Sequence, residues 1–293
     1  LIVAGEQGIG DELMFSTILN DAIEHYEIIF ECHPRLERLH RNSTWARKLT
    51  EQGRPVRIYP TRKDQSIEWP ITENVRADYK CSVGDLAAFY RRDAQSFLAS
   101  WERTGPTYSY NVSEAEGYRE HLLQLAQGRP IVGLATHGGV MTTARQYRTL
   151  RHPDVERLIS QTDCLFVSLD YDDMTPLVMM MDEKHPGRFA WFPSIVQHWD
   201  ADHICALLAA TDLNVMVCQS AFHMSAGIGA PTRCLVPKRC AWRYAPIEGE
   251  PDLPYWYPGD HAKLYRQTDP ESWREPLERV AADINALSLA RAA

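Results

Sequence analysis

Short aliphatic runs alternate with stretches of helical period along most of this chain. Leu1 to Ala4 reads as a strand, Asp11 to His25 as a helix, Glu27 to Cys32 as a strand, Pro34 to Gln52 as a helix and Val56 to Tyr59 as a third strand. That order is βαβαβ. A polar, irregular stretch from Pro60 to Lys80 follows, and from Val83 to Ala99 the helical period returns with Leu86, Phe89 and Tyr90 on one side. A Gly-Pro turn and a charged helix from Glu114 to Gln127 then read as a connection. The rhythm restarts with strands expected at Ile131 to Ala135, Leu165 to Leu169, Phe189 to Phe192, Leu213 to Val217 and Cys234 to Val236. Helices are expected between them at Pro153 to Gln161, Pro176 to Met181, Asp202 to Ala210 and Ala221 to Ile228, and an amphipathic helix from Glu271 to Leu289 closes the chain. Two successive α/β units with apolar strands predict an α/β fold of two Rossmann-like domains. Each is a parallel sheet with helices on both faces, and the two face each other across a cleft. The expected bounds are 1–128 for the first domain, 129–270 for the second and 271–293 for the closing helix.

The starts of two helices carry the chemistry. The first strand breaks into Gly5-Glu6-Gln7-Gly8-Ile9-Gly10-Asp11-Glu12 before the helix continues as Leu13-Met14-Phe15. Glycines at the carboxyl end of a first parallel strand let a ligand approach the backbone closely. A helix amino terminus is partly positive and welcomes phosphate, but Asp11 and Glu12 fill this one with negative charge. The loop therefore presents a carboxylate. In the second half, Leu213 to Val217 runs through Cys218-Gln219 into a helix that Ser220 caps, with Ala221, Ser225, Ala226 and Gly227 along it and no acid in its first turn. Its backbone N–H groups are left for phosphate. The two helix starts have opposite electrostatics.

Composition narrows the classes. A chain of 293 residues, 44% apolar and 24% charged, is long enough for two ordinary cores. It has no uninterrupted apolar run of about 18 residues, so no membrane span is expected. A basic segment followed by an apolar one does not open it, which argues against secretion. A net charge of −8 disfavours a broad grip on nucleic acid but permits a small anionic ligand. Seven scattered cysteines, without a C-x-x-C pair, read as reduced thiols of a cytoplasmic protein and not as a zinc site. The chain opens on Leu1 inside a strand pattern and reads as a piece of something longer.

Several segments carry a resemblance. Gly8-Ile9-Gly10-Asp11-Glu12 with its apolar helix resembles the opening loop of the heptosyltransferase-like glycosyltransferases, family 9, which have the GT-B fold. Ala206 to Leu213 is similar to the helix and strand before that family's donor site, and Ser220 to Pro231 to its donor-site helix, with His223 at the family's histidine position. Trp242-Arg243-Tyr244, Trp256-Tyr257-Pro258 and Leu264-Tyr265-Arg266-Gln267 most resemble the transferase domains found behind tetratricopeptide repeats in bacterial proteins. The resemblance implies an inverting, metal-independent transferase without a cofactor, whose second domain holds a nucleotide-sugar donor and whose first holds a sugar or protein acceptor. It places the general base on Asp11. The donor-binding candidates are His137, Gly138, Arg148, Gln219, Ser220, His223 and Lys238. It also makes an upstream repeat domain an expected neighbour. The chain departs from the family at two places. Cys218-Gln219 stands where an Asp-Thr or Asp-Ser pair is usual, and Thr136-His137 stands before Gly138-Gly139 in place of aromatic and basic residues, so ADP-heptose is not carried over as the donor.

Independent chemistry points the same way. Sugar transfer with inversion needs a base for the acceptor hydroxyl and positive groups for the departing diphosphate, and Arg148 and Lys238 are candidate cations. On residue grounds alone, Asp11 also suits an N-cap, His223 a packed helix position, and Arg148 and Lys238 solvated surface charges. Asp170-Tyr171-Asp172 mimics the D-x-D metal motif of the other large glycosyltransferase fold, but the surrounding order is that of GT-B, and no metal is expected. Two further readings stay open. One is a nicotinamide-dependent oxidoreductase using the first loop, with Glu31 on the ribose, although its glycines run G-x-x-G-x-G. The other is a catalytically silent nucleotide-sugar-binding module.

Overall fold

The structure, a computed structural model, describes residues 1–61, 76–139, 145–197 and 200–292. Most of the irregular stretch expected from Pro60 to Lys80 therefore lies outside the described residues. Four parallel strands form the first sheet: β1 (Ile2–Ala4), β2 (Ile29–Cys32), β3 (Arg57–Pro60) and β4 (Lys80–Ser82), in the order β3-β2-β1-β4. Six form the second: β5 (Ile131–Ala135), β6 (Leu165–Ser168), β7 (Phe189–Trp191), β8 (Leu213–Val217), β9 (Thr232–Val236) and β10 (Ala262–Arg266), in the order β10-β9-β8-β5-β6-β7. All of these pairings are parallel, with Val3 opposite Phe30 in the first sheet and Leu134 opposite Val215 in the second.

Helices connect the strands of the first half: α1 (Ile9–Phe15), α2 (Leu19–Ala22), α3 (Glu37–Arg41), α4 (Thr44–Glu51), α5 (Ala87–Tyr90) and α6 (Ala94–Thr104). Those of the second are α7 (Val112–Ala126), α8 (His152–Gln161), α9 (Thr175–Lys184), α10 (Pro193–Val196), α11 (Ala201–Ala209), α12 (Ser220–Gly227) and α13 (Arg274–Ala292). Helices expected as single long elements are broken where side chains compete for the backbone. The hydroxyls of Ser16 and Thr17 bond back to the carbonyls of Leu13 and Met14 and turn the segment after α1 into a short 3₁₀ stretch. Ser43 accepts from the N–H of Ala46 and starts α4 afresh. Asp93 does the same for α6 through the N–H of Ser96. Strands β4 and β10 were not expected. The first is a three-residue edge with exposed Lys80 and Ser82, and such a polar edge leaves little hydrophobic signal.

One hydrophobic cluster joins Val3, Phe30 and Ile58 of the first sheet to Leu13, Trp45 and Leu49 of its helices, and continues through α7, α11 and α12 onto one face of the second sheet. The opposite face of that sheet is covered by Leu158, Leu177, Leu277 and Ile284 from α8, α9 and α13. Each such side chain contributes about 1.5–3 kcal/mol by leaving water. Helix α7 lies against α11 and β5, and the closing helix α13 against α8, β9 and β10, so both belong with the second sheet. Asn214, the second residue of β8, is fully buried, and its amide donates to the carbonyl of Leu208 and accepts from Thr211. Gly133 on the neighbouring strand makes room for it, since a Cβ there would lie 2.3 Å from Asn214 Oδ1. No described helix is long and apolar enough to cross a membrane.

Candidate functional site

In each sheet, strand order reverses once, between β1 and β4 in the first and between β5 and β8 in the second. Ligands of open parallel sheets bind beyond the carboxyl ends of the strands at such points. From these points emerge the Gly5–Asp11 turn after β1, the Thr136–Gly139 turn after β5 and the Cys218–Ser220 turn after β8. Two of the turns touch across the domain boundary. Helix α1 packs against α12, and a Cβ on Gly10 would lie 3.4 Å from Ser220 Cα and 3.2 Å from His223 Cδ2. A side chain at this position would press on both, so glycine suits so close an approach of the two helix starts. Tyr108, on the connection between the domains, fixes their spacing. It donates its hydroxyl to the carbonyl of Leu13 at 2.6 Å and its backbone N–H to Gly227 at 3.0 Å.

The two acids of the first loop separate in role. Gly8, not Asp11, occupies the N-cap of α1, and no side chain caps that helix. Asp11 points into the interdomain groove, one-third exposed, where Nε of Arg243 donates to its Oδ1 at 2.9 Å and Nη2 donates to the same oxygen. Glu12 is buried, and its Oε1 accepts from the N–H of His33 at 2.8 Å and lies 3.3 Å from His40 Nε2. Glu12 thus braces the loops after β1 and β2, and Asp11 is the carboxylate presented. Glu31 is also structural: its carboxylate accepts from the N–H of Gly5 at 2.9 Å and from the hydroxyl of Thr61, which leaves it occupied where a ribose ligand would be needed.

In the second domain, the first turn of α12 holds no acid and no side-chain cap. The extended residue before the helix is Gln219, and Ser220, expected as the cap, is the first helical residue. Gln219 is 7% exposed, and its Nε2 has no hydrogen-bond partner among the described residues. A buried amide donor left open at a bare helix start is a place for an acceptor atom of a ligand. Arg148 lies beside it, donating from Nη1 to the carbonyl of Cys218 at 3.1 Å. Gly138 packs on the same turn, since a Cβ there would lie 2.4 Å from Gln219 Cβ. Lys238, just past β9, is exposed, and its backbone N–H donates to Gln267 Oε1 at 3.2 Å.

His137 and Asp170 shape the turn after β5. Asp170 is fully buried and accepts from the N–H and hydroxyl of Thr136 at 2.9 and 2.7 Å. Burial raises its proton affinity, against the opposing pull of His137 and of these donors. His137 Nε2 lies 3.0 Å from Asp172, which also takes Nη2 of Arg145 at 2.5 Å. The D-x-D carboxylates are thus engaged by protein donors, and the described residues contain no cluster of three or more metal-ligating side chains.

His223 lies inside α12's packing, 3% exposed, with Nδ1 at 3.2 Å from the Tyr257 hydroxyl and Nε2 at 3.0 Å from that of Tyr244. Its ring ties the helix to the two aromatic segments. Burial first, and the charge of Arg243 second, push its pKa down to about 3. An unfolded chain takes up this proton near pH 6.5, the folded one does not, so the contribution is complete above that pH. It is lost as pH falls toward 3, by about 1.4 kcal/mol per pH unit. The urea midpoint of the wild type is expected to drop more between pH 7 and 5.5 than that of a His223→Gln variant; equal drops would refute this.

Arg243 is the site residue that sequence reasoning did not single out. Its signal was present in the Trp242-Arg243-Tyr244 triplet, but nothing in the sequence says that its side chain crosses to residue 11.

Comparisons with known proteins bear on the fold. No family model matches the chain. It is 24% identical over 292 residues to Protein FlbA of Caulobacter vibrioides, which covers 96% of this chain and 45% of that protein, so the chain spans under half of that relative's length. Escherichia coli ADP-heptose lps heptosyltransferase II superposes with a TM-score of 0.59 at 14% identity, covering 100% of this chain and 99% of that one. The glycosyl transferase family 9 protein of Veillonella parvula gives 0.55 at 13% identity over 99% and 97%. Escherichia coli heptosyltransferase WaaC with ADP-2-deoxy-2-fluoro heptose gives 0.51 at 12% over 100% and 99%. The chain therefore has the two-domain GT-B fold of these glycosyltransferases, as its sequence resemblance implied.

Proposed function

We propose that the protein is an inverting, metal-independent glycosyltransferase that moves a sugar from a nucleotide donor to the hydroxyl of a sugar or protein acceptor. One observation carries this reading: a carboxylate at the start of α1 shares a groove with the acid-free start of α12, the two in contact through Gly10 and Ser220. In the proposed reaction the acceptor oxygen attacks the anomeric carbon as Asp11 takes its proton. The bond from sugar to phosphate breaks, and its electron pair leaves on the nucleoside diphosphate. The N–H groups of α12, with Gln219 and Arg148 beside them, are proposed to meet that charge as it develops, and Lys238 is assigned as a further cation for it. His137 and Gly138 hold the turn against Gln219, and His223 positions α12 from within.

Two of the structural neighbours are named for a heptose carried on ADP, which makes ADP the first nucleotide to try. The replacement of the usual Asp-Thr or Asp-Ser pair by Cys218-Gln219 argues for a panel. Titration calorimetry with ADP, GDP, UDP, CMP and NAD is expected to give binding to one of the first four and none to NAD, and the matching sugar nucleotide is expected to turn over with an acceptor. Binding of NAD alone, or of nothing in the panel, would refute the assignment; binding without turnover on any acceptor would favour a silent module.

A further inference from the structure

Arg243 belongs by position to the second domain, in the turn Trp242–Tyr244, yet its side chain reaches the first. The turn itself is anchored. The Tyr244 hydroxyl bonds His223 in α12, and Nη1 of Arg266 in β10 donates to the Tyr244 carbonyl, so the guanidinium moves on a fixed base. Both of its bonds to Asp11 fall on Oδ1, which leaves Oδ2 outside this pair. Its charge also acts on His223, one turn into the helix whose start is the phosphate cradle. Asp11 and that cradle are adjacent, since Gly10, the residue before Asp11, rests on Ser220.

Resting on the transfer reading above, we propose that Arg243 is shared between Asp11 and the donor: it pairs with the carboxylate in the resting enzyme and turns to the diphosphate when a nucleotide donor binds. A guanidinium fork fits a carboxylate and a phosphate equally well, and the diphosphate offers the greater charge. The pair is open to water on both partners, 32% and 22% exposed, and exposed ion pairs are weak enough to exchange. The exchange has a consequence for order. While paired, Oδ1 of Asp11 holds the guanidinium; once Arg243 has moved to the phosphate, that oxygen is released to take the acceptor's proton, and Arg243 faces the electron pair leaving with the nucleotide. Donor binding thereby arms the base.

Calorimetric titration of the wild type, Arg243→Gln, Asp11→Asn and the double variant with ADP, GDP, UDP and CDP tests this, alongside the phosphate-free nucleoside of whichever diphosphate binds. Removing Asp11 frees Arg243, so Asp11→Asn is expected to bind that diphosphate about fivefold or more tightly. Arg243→Gln is expected to bind it about tenfold or more weakly. The double variant is expected to match Arg243→Gln alone, because Asp11 acts on affinity only through Arg243. Nucleoside binding is expected to be the same in all four proteins. Unchanged diphosphate affinity in Asp11→Asn, or equal loss of nucleoside and diphosphate in Arg243→Gln, would overturn the sharing and leave Arg243 a structural tie. If no diphosphate binds even the wild type, the transfer reading fails, and the sharing with it.

Discussion

Asp11→Asn is expected to lower the transfer rate by about 10²–10⁴-fold while nucleotide binding is not weakened. The amide matches the carboxylate in shape but cannot accept the acceptor's proton, so the loss falls on the chemical step and amounts to about 3–5 kcal/mol of barrier. Stability separates this from a structural role. Asp11 caps no helix and its one ion pair among the described residues is partly exposed, so the variant's unfolding free energy in urea is expected to shift by less than about 1 kcal/mol. Transfer rate, nucleotide affinity and urea midpoint, measured on one preparation, decide the matter. Parallel loss of rate and affinity would show that Asp11 holds the site together instead of acting on the proton.

Asp170→Ala is expected to have the largest effect on the fold near the site. The carboxylate is fully buried and receives the N–H and hydroxyl of Thr136, with the N–H of His137 at 3.4 Å. Alanine leaves the two N–H groups buried without an acceptor and the Thr136 hydroxyl with only His137 Nδ1 at 3.1 Å, and removing one partner from such a buried network costs about 3–5 kcal/mol. Asp170→Asn keeps one acceptor oxygen and is expected to lose less. Because Gly138 packs directly on Gln219, loosening this turn is also expected to weaken nucleotide binding. Urea unfolding of both variants, with calorimetry on the folded fraction, checks the order Ala worse than Asn; an alanine variant as stable as the wild type would refute it.

Much of the fold was legible because parallel strands buried on both faces are written as continuous apolar runs. The expected bounds of β5 and β8 match the structure residue for residue. Legibility failed where the signal was short or competed with side chains. Helix α1 ends early because Ser16 and Thr17 bond to the turn behind them, and β4 is too short and polar to stand out. At the site, the opposite charges of the two helix starts could be read directly from Asp11 and from the acid-free turn after Ser220.

Residue order alone determined which loops follow which strands, and so that one presents a carboxylate and another a bare set of N–H groups. Only the tertiary structure decided that Glu12 turns inward to His33 and His40 while Asp11 faces the groove, that His223 lies buried between two tyrosines, and that Arg243 pairs with a residue 232 positions away. The physical reason is that local pattern fixes the direction of the backbone over a few residues. Which of two adjacent carboxylates meets solvent, and which distant cation meets it, depends on how two separately specified sheets are brought together by the close contact of Gly10 with Ser220.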